Sequence, residues 1–413
     1  MNISILAVGT ELLMGKTINT NATELSKALN NLGHTVQYHL TIGDNPKRLS
    51  STLEYLLSVS DMVITTGGLG PTQDDLTKET ISDTLGLKMK FNEEAYTQMI
   101  NRFKNFNVTM TTNNKKQAYL PEGSIPMYND KGTAPGFIAE ANNKIVAALP
   151  GPPHEMRHMY FKSLEPFLAS KTTQCIKSEY INLFGIGESS AEAKIDDIIS
   201  AQSNPTIAIY ANIGQVSLRV TSSATNDADA LELLKPTVAA ITERLEQYVI
   251  GYGEHNIMDY TIDLIKENNF TLSLAESCTG GMIASEFIKY SGASQFFQSG
   301  YVTYSNQSKH DILNVKEDTL EAFGAVSEET CNEMINGLFD NSQSDICLAV
   351  TGIAGPTGGT ADKPVGLVYI GVKVKDTIVV KQFNFTGDRA VIRRRSLLNG
   401  FFMIYDTIKK TCN

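Results

Sequence analysis

Cysteine is scarce and scattered in this chain, with five residues in 413 and neither a Cys-x-x-Cys motif nor a neighbouring Cys/His pair. That spacing excludes the usual zinc-binding motifs. An odd number of widely spaced cysteines is typical of reduced thiols. The sequence therefore predicts a cytoplasmic protein without a structural disulfide framework.

Long basic runs and long apolar runs are also missing. The 35 basic and 45 acidic residues give a net charge of −10, which argues against a surface for duplex DNA and against a nucleic-acid partner. No stretch approaches about 18 consecutive apolar residues, so we expect no membrane span. The N-terminus, MNISILAVGTELLMG, lacks the basic segment and the cleavage site of a signal peptide.

The length of the chain exceeds what one hydrophobic core supports, so several domains are expected. Short apolar runs alternate with amphipathic stretches in residues 1–168 and again in 253–413, a pattern that indicates α/β domains with mostly parallel sheets. Residues 169–252 predict a small α+β unit, including a helix that starts with a capping box from Ser189 to Glu192. The predicted strands lie at 3–9, 35–43, 61–68, 272–277, 298–305, 346–352 and 365–374.

A glycine-rich motif, TTGGLGPTQDDLTKET (65–80), follows the third predicted strand. Its glycines let backbone N–H groups approach a ligand, and the N-terminus of a following helix favours anions. We place Asp74 and Asp75 in the first turn of that helix, where carboxylates beside a phosphate indicate a bridging divalent cation. By spacing alone, a tight turn followed by helix-start aspartates is an equally good interpretation.

Further polar residues follow the first two strands. Glu11, Asn19 and Asn21 come after the first, and Asp44 comes after the second. Ligands of open parallel sheets bind at the carboxyl ends of the strands. The sequence therefore predicts that these loops converge on one cleft.

Near the C-terminus, the stretch AESCTGG places Ser277 at a strand end, on a glycine-rich turn, as a nucleophile requires. Histidine is scarce, and only His310 lies in a polar motif of this domain, so Lys309 is the better candidate for the base, with Tyr304 nearby. Cys278 is a rival nucleophile, because thiolates are more reactive than hydroxyls. The residues alone leave this choice open.

Two more motifs in the same domain suit a phosphorylated substrate. TGIAGPTGGT (351–360) is a second glycine-rich loop, and GDRAVIRRRS (387–396) clusters four arginines at a predicted helix start. Guanidinium groups bind phosphate well. Each motif alone is also compatible with an ordinary turn or a solvated basic helix face.

The motifs GTELLMGKTINTN (9–21), GGLGPTQDDLTKET (67–80), GTAPGF (132–137) and ALPGPPHEM (148–156) resemble the N-terminal domain of the CinA family, which is similar to molybdopterin-binding domains. The resemblance implies a three-layer α/β fold for 1–168 and hydrolysis of ADP-ribose with Mg, Mn or Co. It implies metal ligands at Glu11, Asp44, Asp74 and Asp75. The implied ADP-ribose contacts are Gly9, Asn19, Asn21, Gly67, Gly68, Gly70, Pro71, Thr72, Lys78, Gly132 and Gly151.

The segment LFGIGESSAE resembles the KH-like middle domain of the same family. Gly185 and Gly187 are followed by Glu188, with no adjacent Lys or Arg to contact a nucleic-acid backbone. We therefore expect a spacer or a dimerisation unit. By the same resemblance, the protein is expected to be a homodimer.

AESCTGG, GASQFFQSGYVTYSNQSK, TGIAGPTGGT and FTGDR resemble the C-terminal domain of the family, which also occurs alone as nicotinamide mononucleotide (NMN) deamidase. The resemblance implies that Ser277 is the nucleophile, Lys309 its base and Tyr304 an orienting group, without a cofactor. The implied substrate contacts are Glu276, Thr279, Gly280, Gly281, Asn306, Thr351, Gly352, Gly355, Arg389 and Arg393.

Together these interpretations predict a bifunctional enzyme of pyridine-nucleotide salvage. The alternative is a competence-linked regulatory protein that binds nucleotides without turnover. A nucleophile and paired aspartates favour the enzyme, because a binding protein needs neither. Molybdopterin binding is a weaker third hypothesis, because it depends on fold analogy alone.

Overall fold

The computed structural model describes residues 1–105, 109–171 and 175–412. They form two compact units, of which the first contains residues 1–177 and 222–232 and the second contains residues 178–221 and 233–413. Across the described residues, no helix combines the length and the apolar character that a membrane span requires.

The first unit is built on a six-stranded sheet. The strands of this part of the chain, including a separate pair, are β1 (Asn2–Val8), β2 (Thr35–Ile42), β3 (Met62–Thr66), β4 (Met89–Phe91), β5 (Tyr119–Pro121), β6 (Ile125–Met127), β7 (Gly136–Ala141) and β8 (Lys144–Leu149). The order in the large sheet is β2-β1-β3-β8-β7-β6, and β4 pairs with β5 separately. Strands β2, β1, β3 and β8 are parallel to one another. At one edge, β7 pairs antiparallel with β8 and β6 pairs antiparallel with β7, so the sheet is mixed.

Helices cover both faces of this sheet. They are α1 (Thr10–Leu13), α2 (Thr20–Asn31), α3 (Pro46–Val59), α4 (Thr77–Leu85), α5 (Glu93–Asn105), α6 (Pro153–Met159) and α7 (Glu165–Ser170). Helices α3 and α4 pack on one face, and α2 and α6 pack on the other, which gives the predicted three layers. Side-chain caps fix two of the helix starts: Asn19 accepts from the backbone N–H of Ala22, and Asn45 accepts from that of Arg48.

A four-stranded antiparallel sheet follows. It has the order β10-β11-β9-β12, with β9 (Cys175–Phe184), β10 (Thr206–Asn212), β11 (Gln215–Ala224) and β12 (Val249–Tyr252). Its helices are α8 (Glu188–Lys194), α9 (Asp196–Ser200) and α10 (Asp227–Leu245). The predicted capping box is wrong, because α8 begins before Ser189 and Gly187 occupies the N-cap position without a side-chain bond.

The C-terminal part of the second unit is a five-stranded sheet between helices. Its strands are β13 (Leu272–Glu276), β14 (Phe297–Val302), β15 (Ile346–Gly352), β16 (Leu367–Val374) and β17 (Thr377–Asn384), in the order β14-β13-β15-β16-β17. Its helices are α11 (Ile257–Glu267), α12 (Met282–Phe287), α13 (Asn306–Leu313), α14 (Glu317–Phe323), α15 (Glu328–Ser342) and α16 (Arg389–Cys412). Helices α11 and α16 pack on one face of the sheet, and α15 packs on the other.

The predicted strands of both α/β domains are confirmed within a few residues. Buried apolar runs such as β1 and β15 gave the clearest signal, because both faces of these strands are covered. Strands β4 to β8 and β17 were not predicted. Strands β4, β5 and β6 have only three residues each, and β17 mixes apolar, polar and exposed residues, as is typical of an edge.

Candidate functional site

The carboxyl ends of β1, β2 and β3 open into a cavity of about 480 Å3 in the first unit. Most of the predicted N-terminal site residues line it, as the topological argument predicted. These are Gly9, Glu11, Asp44, Gly67, Gly68, Gly70, Pro71, Thr72, Asp74, Asp75 and Gly151.

Two glycines of the loop after β3 adopt backbone conformations that other residues rarely adopt. Gly67 has φ of +107°, and a Cβ there would lie 2.1 Å from the carbonyl oxygen of Val8. Gly68 has φ of +68°, and its Cβ would lie 2.0 Å from Thr77 Oγ1. The loop therefore passes close to β1 and to α4, and any side chain at these positions would force it away.

Asp74 and Asp75 lie in the loop before α4, and not in the first turn of that helix as predicted, because α4 begins at Thr77. Asp75 Oδ2 accepts from the backbone N–H of Thr72 at 3.0 Å and from its hydroxyl at 2.5 Å. On the opposite loop, Asp44 Oδ2 accepts from the N–H and hydroxyl of Thr10. These two carboxylates therefore shape their loops with one oxygen each.

The four predicted metal ligands line one cleft without forming a preassembled cation site. Among the residues that the structure describes, no three His, Cys, Asp or Glu side chains are grouped so as to hold a metal ion. The prediction of one site formed by four carboxylates is therefore corrected: the four carboxylates are distributed around a cavity. Such a set fits an ion of the Mg²⁺ type that takes one or two carboxylates and completes its shell with substrate phosphates and water.

Lys78 has a structural role in place of the predicted ADP-ribose contact. It is buried, and its Nζ donates to the carbonyl oxygens of Lys116, Gln117 and Tyr119 at 3.0 to 3.1 Å. Burial lowers the pKa of the Lys78 amine to about 8. The three carbonyls account for its hydrogen-bonding capacity, so no proton remains for a ligand.

Asn19, Asn21 and Gly132 also differ from the prediction, since none of them lines the cavity. Asn19 caps α2. Asn21 is buried, and its amide donates to Thr66 Oγ1 at 2.8 Å and to the carbonyl oxygen of Gly151 at 2.7 Å. Asn21 therefore joins the two loops that follow β3 and β8.

The sequence analysis missed three residues that contribute to this cleft. Lys116 Nζ donates to the carbonyl oxygens of Thr72 and Asp75 and so fixes the glycine loop. Gln117 lines the cavity and donates to the carbonyl oxygen of Leu69 at 3.2 Å. Glu155 lines it from the first turn of α6. Only Glu155 had a signal, because it lies within the motif ALPGPPHEM (148–156).

In the second unit, the side chains of Ser277 and Lys309 meet. Lys309 Nζ lies 3.1 Å from Ser277 Oγ and donates to the carbonyl oxygens of Thr303 at 2.9 Å and Tyr304 at 3.4 Å. The lysine is only 1% exposed, and burial lowers its pKa to about 8. At pH values above about 8 the amine is mostly neutral, and a neutral amine in contact with a hydroxyl can act as a base toward it.

Cys278 takes part in the hydrophobic core between the sheet, α12 and α16. Burial raises the pKa of its thiol to about 12, so almost no thiolate exists near neutral pH. The two rival side chains of the motif are therefore in different environments, and only the serine hydroxyl receives a hydrogen bond from the lysine.

Tyr304, Arg389 and Arg393 approach the serine turn from outside. The carbonyl of Tyr304 accepts from Lys309, whereas its hydroxyl lies 3.4 Å from Arg389 Nη2 on a largely exposed side chain. Arg389 also donates to the carbonyl oxygen of Gly355 at 2.8 Å. Arg393 Nη2 donates to the carbonyl oxygen of Thr279 at 2.5 Å, and within the described part of the chain its buried Nε has no hydrogen-bond partner. Arg393 thus contacts the serine turn, and Arg389 contacts the second glycine-rich loop and Tyr304.

Two of the predicted substrate contacts have structural roles. Glu276 is buried, and its carboxylate accepts from the backbone N–H groups of Gly281, Ile283 and Ala284 at 2.8 to 3.1 Å. The Thr351 hydroxyl is buried and donates to the carbonyl oxygen of Ala325 at 2.6 Å. These contacts hold α12 and the second glycine-rich loop in position, and they leave neither side chain facing a ligand.

The other predicted contacts lie on the turns around Ser277. Gly280 and Gly281 have φ of +60° and +85°, which turns the chain from β13 into α12. Asn306 is exposed at the start of α13, and Gly352 ends β15. The Thr279 and Thr303 hydroxyls are buried, and neither has a hydrogen-bond partner among the residues that the structure describes. Thr303, whose carbonyl accepts from Lys309, was missed because a backbone acceptor has no residue-type signal.

Three family models match the chain. Residues 4–170 match the probable molybdopterin binding domain, residues 178–251 match the KH domain of damage-inducible protein CinA, and residues 254–408 match the CinA C-terminal domain. The second unit contains the C-terminal match and the KH-like match except for residues 222–232, which belong to the first unit. The glycine-loop cavity lies within the molybdopterin-binding-like match.

Relatives named competence-damage inducible protein match over nearly the whole length. One from Clostridium botulinum is 45% identical over 95% of this chain and 96% of its own. One from Acetivibrio thermocellus is 45% identical over 99% of both chains. Among solved structures, competence/damage inducible protein CihA from Agrobacterium tumefaciens is 35% identical, with a TM-score of 0.36, over 37% of this chain and 95% of that one. By its three domains and its full-length relatives, this chain belongs to the CinA family of enzymes.

Proposed function

We propose that the C-terminal domain hydrolyses the carboxamide of NMN to give nicotinic acid mononucleotide and ammonia. The observation that carries this proposal is the buried hydrogen bond between Lys309 Nζ and Ser277 Oγ. The carboxamide substrate comes from the resemblance to NMN deamidases. The serine–lysine pair supports an acyl transfer of this kind because it supplies a nucleophile and a base without a metal.

In the first half of the reaction, neutral Lys309 takes the proton of Ser277 while Oγ attacks the carboxamide carbon. The resulting oxyanion needs backbone donors, and we assign it to the N–H groups of Cys278 and Thr279 in the turn after the nucleophile. The lysine ammonium then gives its proton to the departing nitrogen. Ammonia leaves, and the nicotinoyl group remains as an ester of Ser277.

In the second half, Lys309 accepts a proton from water, which attacks the ester and releases the carboxylate product with the serine hydroxyl restored. The carbonyls of Thr303 and Tyr304 hold the amine at the required position throughout. We assign the 5′-phosphate of the substrate to Arg389 and Arg393, because Arg393 contacts the serine turn at Thr279 and Arg389 contacts the second glycine-rich loop at Gly355.

Release of ammonia from NMN by the purified full-length protein tests this function directly. Nicotinamide, which lacks the ribose phosphate, is the matched control because both compounds carry the same carboxamide. We expect rapid release from NMN and slow release from nicotinamide. A protein that binds NMN without releasing ammonia would favour the regulatory alternative.

We further propose that the N-terminal domain hydrolyses ADP-ribose to AMP and ribose 5-phosphate with a divalent cation. The support is the cavity of about 480 Å3, in which a glycine-rich loop and carboxylates share one space. Asp44 and Asp75 would hold the ion through the oxygens that their loops do not use. When bound, a divalent cation neutralises diphosphate charge and polarises the P–O bonds.

Formation of AMP from ADP-ribose, measured with and without added Mg²⁺ or Mn²⁺, tests this second activity. We expect turnover with metal and almost none in excess chelator. NMN deamidation in the same samples is the internal control, because the serine–lysine pair requires no ion. A chelator that stopped both activities equally would contradict the assignment of one metal-dependent and one metal-independent site.

A further inference from the structure

Glu155 is an additional carboxylate in the N-terminal cavity, on the side formed by the start of α6. It lines the cavity together with Gly151 and Pro152, which lead from β8 into that helix. Its side chain is 16% exposed, so it is largely shielded and yet reaches solvent. The diphosphate of ADP-ribose would lie in the same space.

The carboxylate of Glu155 is held by one specific hydrogen bond. Asn129 Nδ2 donates to Glu155 Oε2 at 2.6 Å and also to the carbonyl oxygen of Ala134 at 3.1 Å. The other end of the same amide, Asn129 Oδ1, accepts from the backbone N–H groups of Lys131 and Gly132 at 3.0 and 2.7 Å. Both polar atoms of the Asn129 amide therefore form hydrogen bonds that hold the 129–134 loop around the carboxylate.

Gly132 provides the space that this carboxylate occupies. A Cβ at position 132 would lie 2.0 Å from Glu155 Oε2 and 2.7 Å from Oε1, so any larger residue would displace the carboxylate. The other oxygen, Oε1, has His154 Nε2 at 4.0 Å, and that imidazole is largely exposed. One oxygen is therefore anchored, and the other is available to a water molecule.

We propose that Glu155 is the general base that activates water for diphosphate hydrolysis in this cleft, with Asn129 as its positioning residue. This inference rests on the proposed ADP-ribose hydrolysis. The geometry favours a base because Asn129 fixes the direction of the Glu155 carboxylate and Gly132 leaves room for it. Asp44 and Asp75, in contrast, each use one carboxylate oxygen in hydrogen bonds within their own loops.

In the proposed step, one water molecule is divided between Glu155 and the diphosphate. Glu155 accepts a proton from water as the water oxygen bonds to phosphorus, and the bond from that phosphorus to the bridging oxygen breaks. The bridging oxygen leaves on a phosphate monoester anion, which needs no proton to depart. The attacked phosphorus keeps the remaining hydroxyl as the second monoester, and Glu155 returns its proton to solvent.

The test measures ADP-ribose hydrolysis by the full-length protein for Glu155→Gln, with Glu122→Gln as the control because Glu122 is an exposed carboxylate outside the cavity. We expect kcat to fall by about 100-fold to 10,000-fold in Glu155→Gln. KM and the metal concentration for half-maximal rate should stay within a factor of about three, because binding and metal loading are unchanged. Added formate should partly restore kcat in Glu155→Ala, since a small carboxylate can replace the missing base.

Asn129→Ala tests the positioning role. It should lower kcat by a smaller factor than Glu155→Gln at unchanged KM, whereas a merely structural role would lower the melting temperature without this kcat-specific effect. Thermal unfolding and circular dichroism of each variant verify that the N-terminal domain is folded, since the deamidase site lies in the other unit.

Several results would overturn the inference. An unchanged kcat in Glu155→Gln removes Glu155 from the reaction. Recovery of kcat at high metal concentration would make Glu155 a metal ligand and contradict its role as base. Absence of ADP-ribose hydrolysis in the wild type is a different failure, because it refutes the proposed N-terminal function itself.

Discussion

Ser277 and Cys278 are adjacent in the chain and differ completely in environment: the serine hydroxyl receives a hydrogen bond from Lys309 at 3.1 Å, and the cysteine thiol is packed in the core. The proposed nucleophilic catalysis would therefore depend on the first residue of the pair. The contrast makes the two positions a matched test of the mechanism.

Ser277→Ala should abolish ammonia release from NMN, because removing a nucleophile forfeits the covalent route and commonly costs several orders of magnitude in kcat. Cys278→Ala should keep most of the activity, with a loss of stability from the small cavity that it creates. Ammonia release and thermal unfolding, measured on both variants, check this. An inactive Cys278→Ala beside an active Ser277→Ala would reverse the assignment.

Deamidation should increase with pH in the wild type. Burial lowers the pKa of Lys309 from 10.5 to about 8 in the folded protein, and the base accepts a proton only when neutral. The kcat for NMN should therefore rise as pH increases through about 8 and level off above it. A rate that falls across this range would contradict Lys309 as base.

Substitution of Lys309 separates its charge from its basicity. Lys309→Met should be as inactive as Ser277→Ala, because no group remains to accept the serine proton. Lys309→Arg should not restore activity, since arginine keeps its proton at every working pH. Ammonia release from NMN measures both, and a comparison of their thermal unfolding identifies any variant that fails to fold. An active Lys309→Arg would exclude proton transfer at this position.

The two aspartates of the glycine loop should affect one activity alone. Asp74→Asn and Asp75→Asn are expected to lower metal-dependent ADP-ribose hydrolysis sharply, because each removes a negative charge from the cleft. Asp75→Asn also weakens the turn at Thr72. NMN deamidation, assayed in parallel, should not change. Full ADP-ribose hydrolysis by both variants would refute a role for this loop in metal binding.

Lys78 should contribute to the pH dependence of stability. Its pKa is about 8 in the folded chain against 10.5 ordinarily, so between these values the unfolded chain binds more protons and the free energy of unfolding rises with pH. Lys78→Met should remove this component and destabilise the domain, because buried carbonyls left without a donor cost about 1–3 kcal/mol each. Chemical denaturation from pH 7 to 10 measures the difference. Lys88→Met, at an exposed position, is the control and should show neither effect.

Residues 255–413 should deamidate NMN without the rest of the chain, because Ser277, Lys309 and both guanidinium groups belong to this segment. The fragment should be less stable than the full chain, since it loses the ring stacking of Phe184 on Phe402 at 4.3 Å and the hydrogen bond from Tyr405 to the carbonyl oxygen of Ile250. Ammonia release and thermal unfolding of the fragment test both parts. A folded but inactive fragment would show that the site needs residues outside it.

The sequence by itself determined the α/β class, the strands that lead into the polar loops, and the positions of those loops. Buried parallel strands such as β1 are nearly continuous apolar runs. Strand β3 leads into Gly67 and Gly68, whose positive φ values other residues rarely adopt. Because the carboxyl ends of parallel strands meet at one edge, local patterns were enough to predict that Glu11, Asp44 and Asp75 share a cleft. Ser277 was found in the same way, from its place between a strand and a glycine turn.

Only the tertiary structure decided which polar side chains face a ligand and which support the backbone. Lys78 and Glu276 lie within motifs that resemble binding sites, and yet each is buried against backbone groups that are distant in sequence or on the next helix. Conversely, Glu155 reaches the cleft because Asn129 donates a hydrogen bond to its carboxylate and Gly132 leaves the space that the carboxylate occupies. The hydrogen-bonding partner of a charged group is set by folding, because a buried charge takes whichever partner the packing brings to it, and residue type alone does not specify that partner.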